Sequence, residues 1–318
     1  MFLYFYEKKV DALVLEAGIG GRFDPTRICT GKLVGLTSVE LEHTQILGDT
    51  LEEITMDKIE LAKTGSTLIL GKIPAETKRR ARGLAKAKGV EMLSIDEECE
   101  VQKVVYADQS MTLDFLLDGL NFQSVVCSLV GPHQVSNLLL AVLLVKKWLE
   151  VNQFGIASDS FIRAAKRGLE RVNWPGRFEK IAEAPLTYID IGHTPDAMQQ
   201  LAQTASHTID QPILLVFGLS KGRDPNKMLE PWLPVASDIY LTQANYKGSD
   251  VYEMKKVLEA NGQIKSLAVF GSTAQAIDAA FETAKAEGKT IIITGSLFLA
   301  IEAKAHLDEI PPSSLHFF

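Results

Sequence analysis

The 318-residue sequence has only three cysteines, Cys29, Cys99 and Cys127. Their number and spacing make neither a disulfide framework nor a zinc site, and they read as reduced thiols of a cytoplasmic protein. No apolar run is long enough to span a bilayer, so no membrane partner is expected. The apolar start Met-Phe-Leu-Tyr-Phe-Tyr-Glu-Lys-Lys has no basic segment before it and no small-residue cleavage site, so it makes a poor signal peptide. Positive charge is also scarce. Lys and Arg number 33 against 40 Asp and Glu, a net charge of −7, and the one basic tract is Lys78-Arg79-Arg80 with Arg82 nearby. A nucleic-acid platform is more basic than this, so no nucleic-acid partner is expected. Internal repeats and low-complexity segments are absent. What remains, 46% hydrophobic and 23% charged residues, is ordinary for a globular chain of about two domains.

Hydrophobic rhythm supplies the elements. Val10 to Leu15 is a short apolar run ending at Glu16 and followed by Gly18, Gly20 and Gly21, which predicts a buried strand entering a loop. Leu33 to Thr37 is a second such run, leading to Glu40, Glu42 and His43. Two buried strands ending in acids and a histidine predict a parallel sheet with a site at its carboxyl edge. Asp49 to Lys63 reads as a helix, with Asp49 and Glu52 spaced as a capping box. Lys58 falls on its apolar stripe with Leu51 and Ile54. Thr67 to Leu70 predicts a strand and Glu76 to Lys88 a polar helix. From Met92 to Leu129 short alternating runs predict a small β-rich region. Gly131-Pro132-His133-Gln134 opens a helix that is strongly apolar from Leu138 to Val145. After Asn173-Trp174-Pro175-Gly176-Arg177, strands expected at 186–190, 213–217, 238–241, 267–270 and 290–294 alternate with helices. That rhythm predicts a Rossmann-like α/β domain with a mainly parallel sheet.

Several blocks fall in a meaningful order. They are Leu15-Glu16-Ala17-Gly18-Ile19-Gly20-Gly21-Arg22-Phe23-Asp24, Glu42-His43-Thr44-Gln45-Ile46-Leu47-Gly48-Asp49-Thr50-Leu51-Glu52-Glu53-Ile54, and Gly131-Pro132-His133-Gln134 with Asn137. Trp174-Pro175-Gly176-Arg177-Phe178-Glu179, Asp190-Ile191-Gly192-His193-Thr194-Pro195-Asp196 and Thr294-Gly295-Ser296-Leu297 follow. This ordered set resembles the folylpolyglutamate synthase/dihydrofolate synthase family of the Mur ligase superfamily, over nearly the whole chain. The resemblance implies an α/β fold in two parts. Residues 1–172 would be an incomplete Mur-ligase-like central, ATP-binding domain, and residues 173–318 a C-terminal Rossmann-like domain. It also implies an ATP- and Mg²⁺-dependent ligase that joins L-glutamate to a folate or dihydropteroate carboxylate through an acyl phosphate.

Glu16 and His43 each sit just past a predicted buried strand, where a carboxylate and an imidazole can hold a divalent ion against nucleotide phosphates. The resemblance makes them magnesium ligands; the plain alternative is a loop acid and a surface histidine. For Lys58 the resemblance implies a carbamylated catalytic lysine, since burial favours the neutral amine that takes up CO₂. The alternative is a lysine that snorkels past the core edge, and Ile59-Glu60 departs from the family's Ala-Gly at this point. Asn137, Arg177 and Asp190 match the family's ATP contacts to base, phosphates and ribose. Their alternatives are a helix-surface residue, a partner for Glu179 and a helix cap. His193 matches a catalytic histidine, although Ile191-Gly192 and Thr194 replace the family's Gly-Ala and Asn around it. Lys221 and Asp224 sit where the family carries a Lys-Asp pair near the amino-acid substrate, or else in a solvated loop. Ser296 is a candidate for the incoming amino acid's carboxylate.

One expected part is missing. The family's Gly-Thr-Asn-Gly-Lys-Gly-Ser loop wraps the ATP phosphates, and the sequence contains no Gly-x-x-x-x-Gly-Lys-Ser/Thr. Gly218-Leu219-Ser220-Lys221-Gly222 is too short and in the wrong order. The expectation is an incomplete ligase inactive alone, a subunit that takes the loop from a separate chain, or a non-catalytic nucleotide-binding relative.

Overall fold

The computed structural model describes residues 2–260, 262, 266–311 and 314–315. The chain forms two compact units. The first comprises Met1–Glu100, Phe115–Asn121 and Ser136–Ile162. The second comprises Val101–Asp114, Phe122–Val135 and Arg163–Phe318, so the expected boundary at 172/173 falls inside its last segment.

The first unit begins with α1 (Phe2–Lys8), β1 (Leu33–Leu36), α2 (Thr44–Leu47), α3 (Leu51–Lys58), β2 (Thr67–Leu70), α4 (Ala75–Ala87), β3 (Glu91–Ser94) and α5 (Ile95–Glu98). The three strands form a parallel sheet in the order β1-β2-β3. β2 is buried throughout, and Thr77, Ala81 and Ala85 turn one face of α4 into the same core, four residues apart as a helix requires. Ile54, Ile59, Leu68 and Leu70 fill that core.

Two expectations need correction here. Val10 to Leu15 forms no strand. Among the described residues it pairs with none of the strands, and Val14 is 95% exposed. An apolar run becomes a strand only where a sheet edge takes up its backbone N–H and C=O groups. The helix is also capped one residue later than Asp49 and Glu52 suggest. Thr50 accepts the Glu53 N–H while Glu53 reaches back to the Thr50 N–H, and the helix gives way after Lys58 to a 3₁₀ turn at Ile59–Leu61. Both frames satisfy the sequence rule; Thr50 has the extended backbone (φ −125°) that an N-cap needs.

The β-rich region is a three-stranded sheet of β4 (Cys99–Tyr106), β5 (Met111–Leu117) and β6 (Leu120–Cys127), with β5 buried at alternate residues. Helices α6 (Pro132–Val151) and α7 (Ser158–Glu170) follow. The second unit then adds β7 (Glu179–Glu183), β8 (Leu186–Ile189), α8 (Pro195–Thr208), β9 (Ile213–Phe217), α9 (Pro225–Leu229), β10 (Ala236–Leu241), α10 (Val251–Glu259), β11 (Leu267–Val269), α11 (Thr273–Glu287), β12 (Thr290–Thr294) and α12 (Leu297–Leu307). Its six-stranded sheet runs β11-β10-β9-β12-β8-β7. All neighbours are parallel except β7, which is antiparallel to β8 and was not anticipated from the sequence. β9 and β12 are fully buried, as the continuous runs Ile-Leu-Leu-Val-Phe and Thr-Ile-Ile-Ile-Thr demand of strands covered on both faces.

Strand order decides where a ligand fits. From β9 the chain steps outward to β10 and β11, then returns to place β12 between β9 and β8. The order reverses there, and open α/β sheets bind ligands beyond the carboxyl ends of the strands at that switch point.

Candidate functional site

Asp190 stands at the carboxyl end of β8 and is buried. Its Oδ2 accepts the Phe178 N–H at 3.0 Å and its Oδ1 the Gly192 N–H at 2.7 Å. Ile191 N donates to Gly176 O at 2.9 Å, so two turns, Trp174–Phe178 and Asp190–Thr194, are tied together. Burial pushes the Asp190 carboxyl above its usual pKa. The two N–H donors and the positive charges of Arg177 and His193 oppose that shift. Asp190 is not a helix cap: Thr194 caps α8 by accepting the Ala197 N–H, with Pro195 at the first helical position. Arg177 is exposed. It is not held by Glu179, whose carboxylate takes the Gly176 N–H at 2.7 Å and the Lys304 ammonium. His193 is exposed, with Nδ1 3.1 Å from Ile191 O.

His133 joins this group and was not singled out from the sequence. Burial, then the nearby Arg177 charge, pushes its pKa down to about 4, so the ring is neutral at physiological pH. Its Nε2 lies 3.0 Å from Gln134 Nε2, and its buried Nδ1 has no hydrogen-bond partner. Its only sequence signal was its place in the Gly-Pro-His-Gln block.

A second cluster sits beyond β9, β10 and β12. Ser296 is 1% exposed, caps α12 by accepting the Phe298 N–H, and lies 3.0 Å (Oγ to Oγ) from Ser220. Lys221 is exposed, and its backbone N–H donates to Lys247 O at 3.1 Å. Asp224 caps α9, accepting the Asn226 N–H at 3.0 Å, a structural role the sequence reading did not weigh.

In the first unit Glu16 is exposed, and His43, half exposed, adopts a left-handed backbone (φ 53°) before α2 with Glu42 Oε1 4.0 Å from its Nε2. Among the described residues no three His, Cys, Asp or Glu side chains gather closely enough to hold a metal ion. Lys58 is half-buried at the end of α3. Asn137 is exposed on α6. The glycine-rich loop at 18–24 is organised by two acids that sequence reasoning passed over. Asp24 accepts N–H groups from Gly18 (2.7 Å), Ile19 (3.4 Å) and Thr26 (2.8 Å) and the Thr26 hydroxyl (2.5 Å). The Thr26 hydroxyl, with those N–H groups and against burial, holds its pKa below the usual carboxylate value. Asp57 accepts the Gly21 N–H at 2.8 Å and the Arg22 N–H at 3.3 Å. A Cβ on Gly21 would lie 2.3 Å from Lys58 O, so only glycine lets this loop meet the helix end. Both acids left a trace in the sequence: Asp24 precedes a proline at a helix start, and Asp57 is an acid in a helix's last turn, against the dipole.

Residues 1–145 match the Mur ligase middle domain, and residues 176–297 match the Mur ligase glutamate ligase domain. A dihydrofolate synthase/folylpolyglutamate synthase of Bacillus subtilis is 26% identical over 312 residues, 96% of this chain and 70% of the relative. A folylpolyglutamate synthase of Lacticaseibacillus casei is 26% identical over 299 residues, 94% of this chain and 67% of the relative. A solved Mycobacterium tuberculosis folylpolyglutamate synthase, complexed with ADP and AMPPCP, aligns with a TM-score of 0.86 at 23% identity. It covers 98% of this chain and 71% of that one, and shares the fold.

Proposed function

The chain belongs to the Mur ligase family, and from that premise we propose that it serves an ATP-dependent ligation of L-glutamate to a folate or dihydropteroate carboxylate. By family it is an ATP-dependent carbon–nitrogen ligase. One observation carries the reading furthest: Asp190, Ser220 and Ser296 stand at the carboxyl edge of one parallel sheet, around its switch point, within the residues that match a glutamate ligase domain.

The reaction has two transfers. A substrate carboxylate oxygen attacks the γ-phosphorus of ATP, giving an acyl phosphate and ADP. The amine of glutamate then attacks the acyl carbon, the amide forms, and phosphate leaves. In this reading Asp190 receives a ribose hydroxyl on the outer lone pairs of an otherwise fixed carboxylate. Arg177 offers an exposed guanidinium to phosphate oxygens, Asn137 contacts the base, and His193 handles a proton at the reacting groups. Lys221, Asp224 and Ser296 serve the amino acid. Glu16 and His43 are the proposed donors for Mg²⁺. Such an ion would keep several waters and rely on phosphate oxygens, so it would not need a closed protein cage. When bound, it neutralises developing phosphate charge. Lys58 is the proposed carbamate, detectable as a carbamate ¹³C signal when the folded chain is equilibrated with ¹³C-bicarbonate.

None of the 318 residues supplies the phosphate-wrapping loop, so turnover is proposed to require a loop from outside them, whether in the same polypeptide or in another. The test is ATP-dependent addition of L-glutamate to dihydropteroate or tetrahydrofolate by the purified chain. The expected result is no turnover alone and turnover when a loop-bearing polypeptide is added. Robust turnover by the chain alone would overturn the need for such a loop. Nucleotide binding without turnover under any complementation would favour a non-catalytic nucleotide-binding role.

A further inference from the structure

The loop between β10 and α10 is held by a carboxylate from another element. Glu302, on α12, is 6% exposed. Its Oε1 accepts the Asn245 N–H at 2.8 Å and the Tyr246 N–H at 3.3 Å. Its Oε2 accepts the Thr273 hydroxyl at 2.8 Å and Asn245 Nδ2 at 3.3 Å. A buried carboxylate is costly and is kept only where donors meet it. Here each donor comes either from the loop or from the first residue of α11.

What the carboxylate fixes lies at the sheet edge. The pinned residues lead into Lys247, left-handed at φ 52°, whose carbonyl takes the Lys221 N–H. Gly248 bridges to Ser220, and the Ser249 N–H donates to Leu219 O at 2.8 Å. A Cβ on Gly248 would lie 2.2 Å from Ala244 O, so the loop closes on itself with no slack. Ser220, held in this zipper, meets Ser296 hydroxyl to hydroxyl. The Lys247 ammonium lies 5.1 Å from the Tyr246 ring centroid and 5.9 Å from that of Phe298, close to the Ser296 cap of α12. One buried acid therefore ties the segment that leads to Lys247 and Ser220 to α12, the helix that Ser296 caps.

We propose that Glu302 is a positioning residue for the amino-acid subsite: through Asn245 and Tyr246 it aligns Ser220 and Lys247 with Ser296 to receive a carboxylate of the incoming acidic amino acid. This rests on the reading of that edge as the amino-acid subsite. The probe is L-glutamate, titrated into the ¹⁵N-labelled chain, with ATP–Mg²⁺ titrated separately into the same samples. In the parent, L-glutamate shifts the amides of Ser220, Lys221, Lys247 and Ser296. Glu302→Ala weakens L-glutamate binding by about tenfold or more, Thr273→Val by a few-fold, and Glu302→Gln, which keeps an acceptor for both amides, stays close to the parent. ATP–Mg²⁺ affinity stays unchanged in all three, a split that a merely structural role would not produce. Equal L-glutamate affinity in the parent and in folded Glu302→Ala and Thr273→Val would overturn the positioning role. Should Glu302→Ala fail to fold, Thr273→Val decides alone. If millimolar L-glutamate shifts none of the four amides in the parent, the subsite reading itself fails, and the proposal with it.

Discussion

Candidate residues in the two units are held in opposite ways. Beyond β8, β9 and β12 every candidate sits in a braced turn. Asp190 holds two backbone amides, Ser296 caps a helix, and Glu302 locks the neighbouring loop. In the first unit Glu16 is exposed in a segment that pairs with no described strand, and the bracing passes instead to Asp24 and Asp57. A functional residue is reliable to the extent that its neighbours are over-determined. The second unit fixes its candidates through such bonds, whereas Glu16 and His43 are exposed.

The largest test of that contrast is a pair of alanine variants. Asp190→Ala leaves the Phe178 and Gly192 amides without acceptors and should cost about 2–4 kcal/mol of unfolding free energy. Glu16→Ala should stay within about 0.5 kcal/mol. Urea unfolding of both measures the difference, and similar losses would erase the contrast.

The next is a pH profile. His133 titrates near 4 in the folded chain, below its ordinary value. A depressed folded pKa contributes stability above the unfolded pKa of about 6.5 and loses it as pH falls toward 4. The contribution should reach about 3 kcal/mol, and His133→Gln should remove that part of the slope. Asp190 runs the other way: with a raised pKa it favours the fold most at low pH, and that share fades as pH rises through its folded value. Comparing parent and His133→Gln over the same pH range isolates the histidine.

The smallest effect sharpens the picture of the first unit. There α3 is firm because of its Thr50/Glu53 capping box, so Thr50→Ala should lower stability by about 1 kcal/mol. Asp49→Ala should change it by only a few tenths. Thermal unfolding of the two variants separates the frames, and the reverse order would return the cap to Asp49.

Period and punctuation made the C-terminal architecture legible. Buried runs at 213–217 and 290–294 can only be covered strands, and the helices between them force parallel pairing. β7 escaped notice because Glu179–Glu183 is polar and half-buried, with no alternation to read. Val10 to Leu15 misled for the converse reason: apolarity shows what a segment can bury, not whether a partner strand is present. Among the candidate site residues, motif order pointed to Asp190 and Ser296, but their partners are long-range. Nothing near Glu302 in sequence points to Asn245, and His133 owes its neutrality to burial and Arg177.

The central claim is that the switch-point edge of the six-stranded sheet is a working nucleotide site. Titration of ATP–Mg²⁺ into the ¹⁵N-labelled chain, followed by NMR, tests it most directly. The account predicts weak, saturable shifts centred on Arg177, Asp190, Gly192 and His193, and binding weakened at least about fivefold in Arg177→Ala. Equal binding by the parent and Arg177→Ala, or no shifts at millimolar nucleotide, would contradict it.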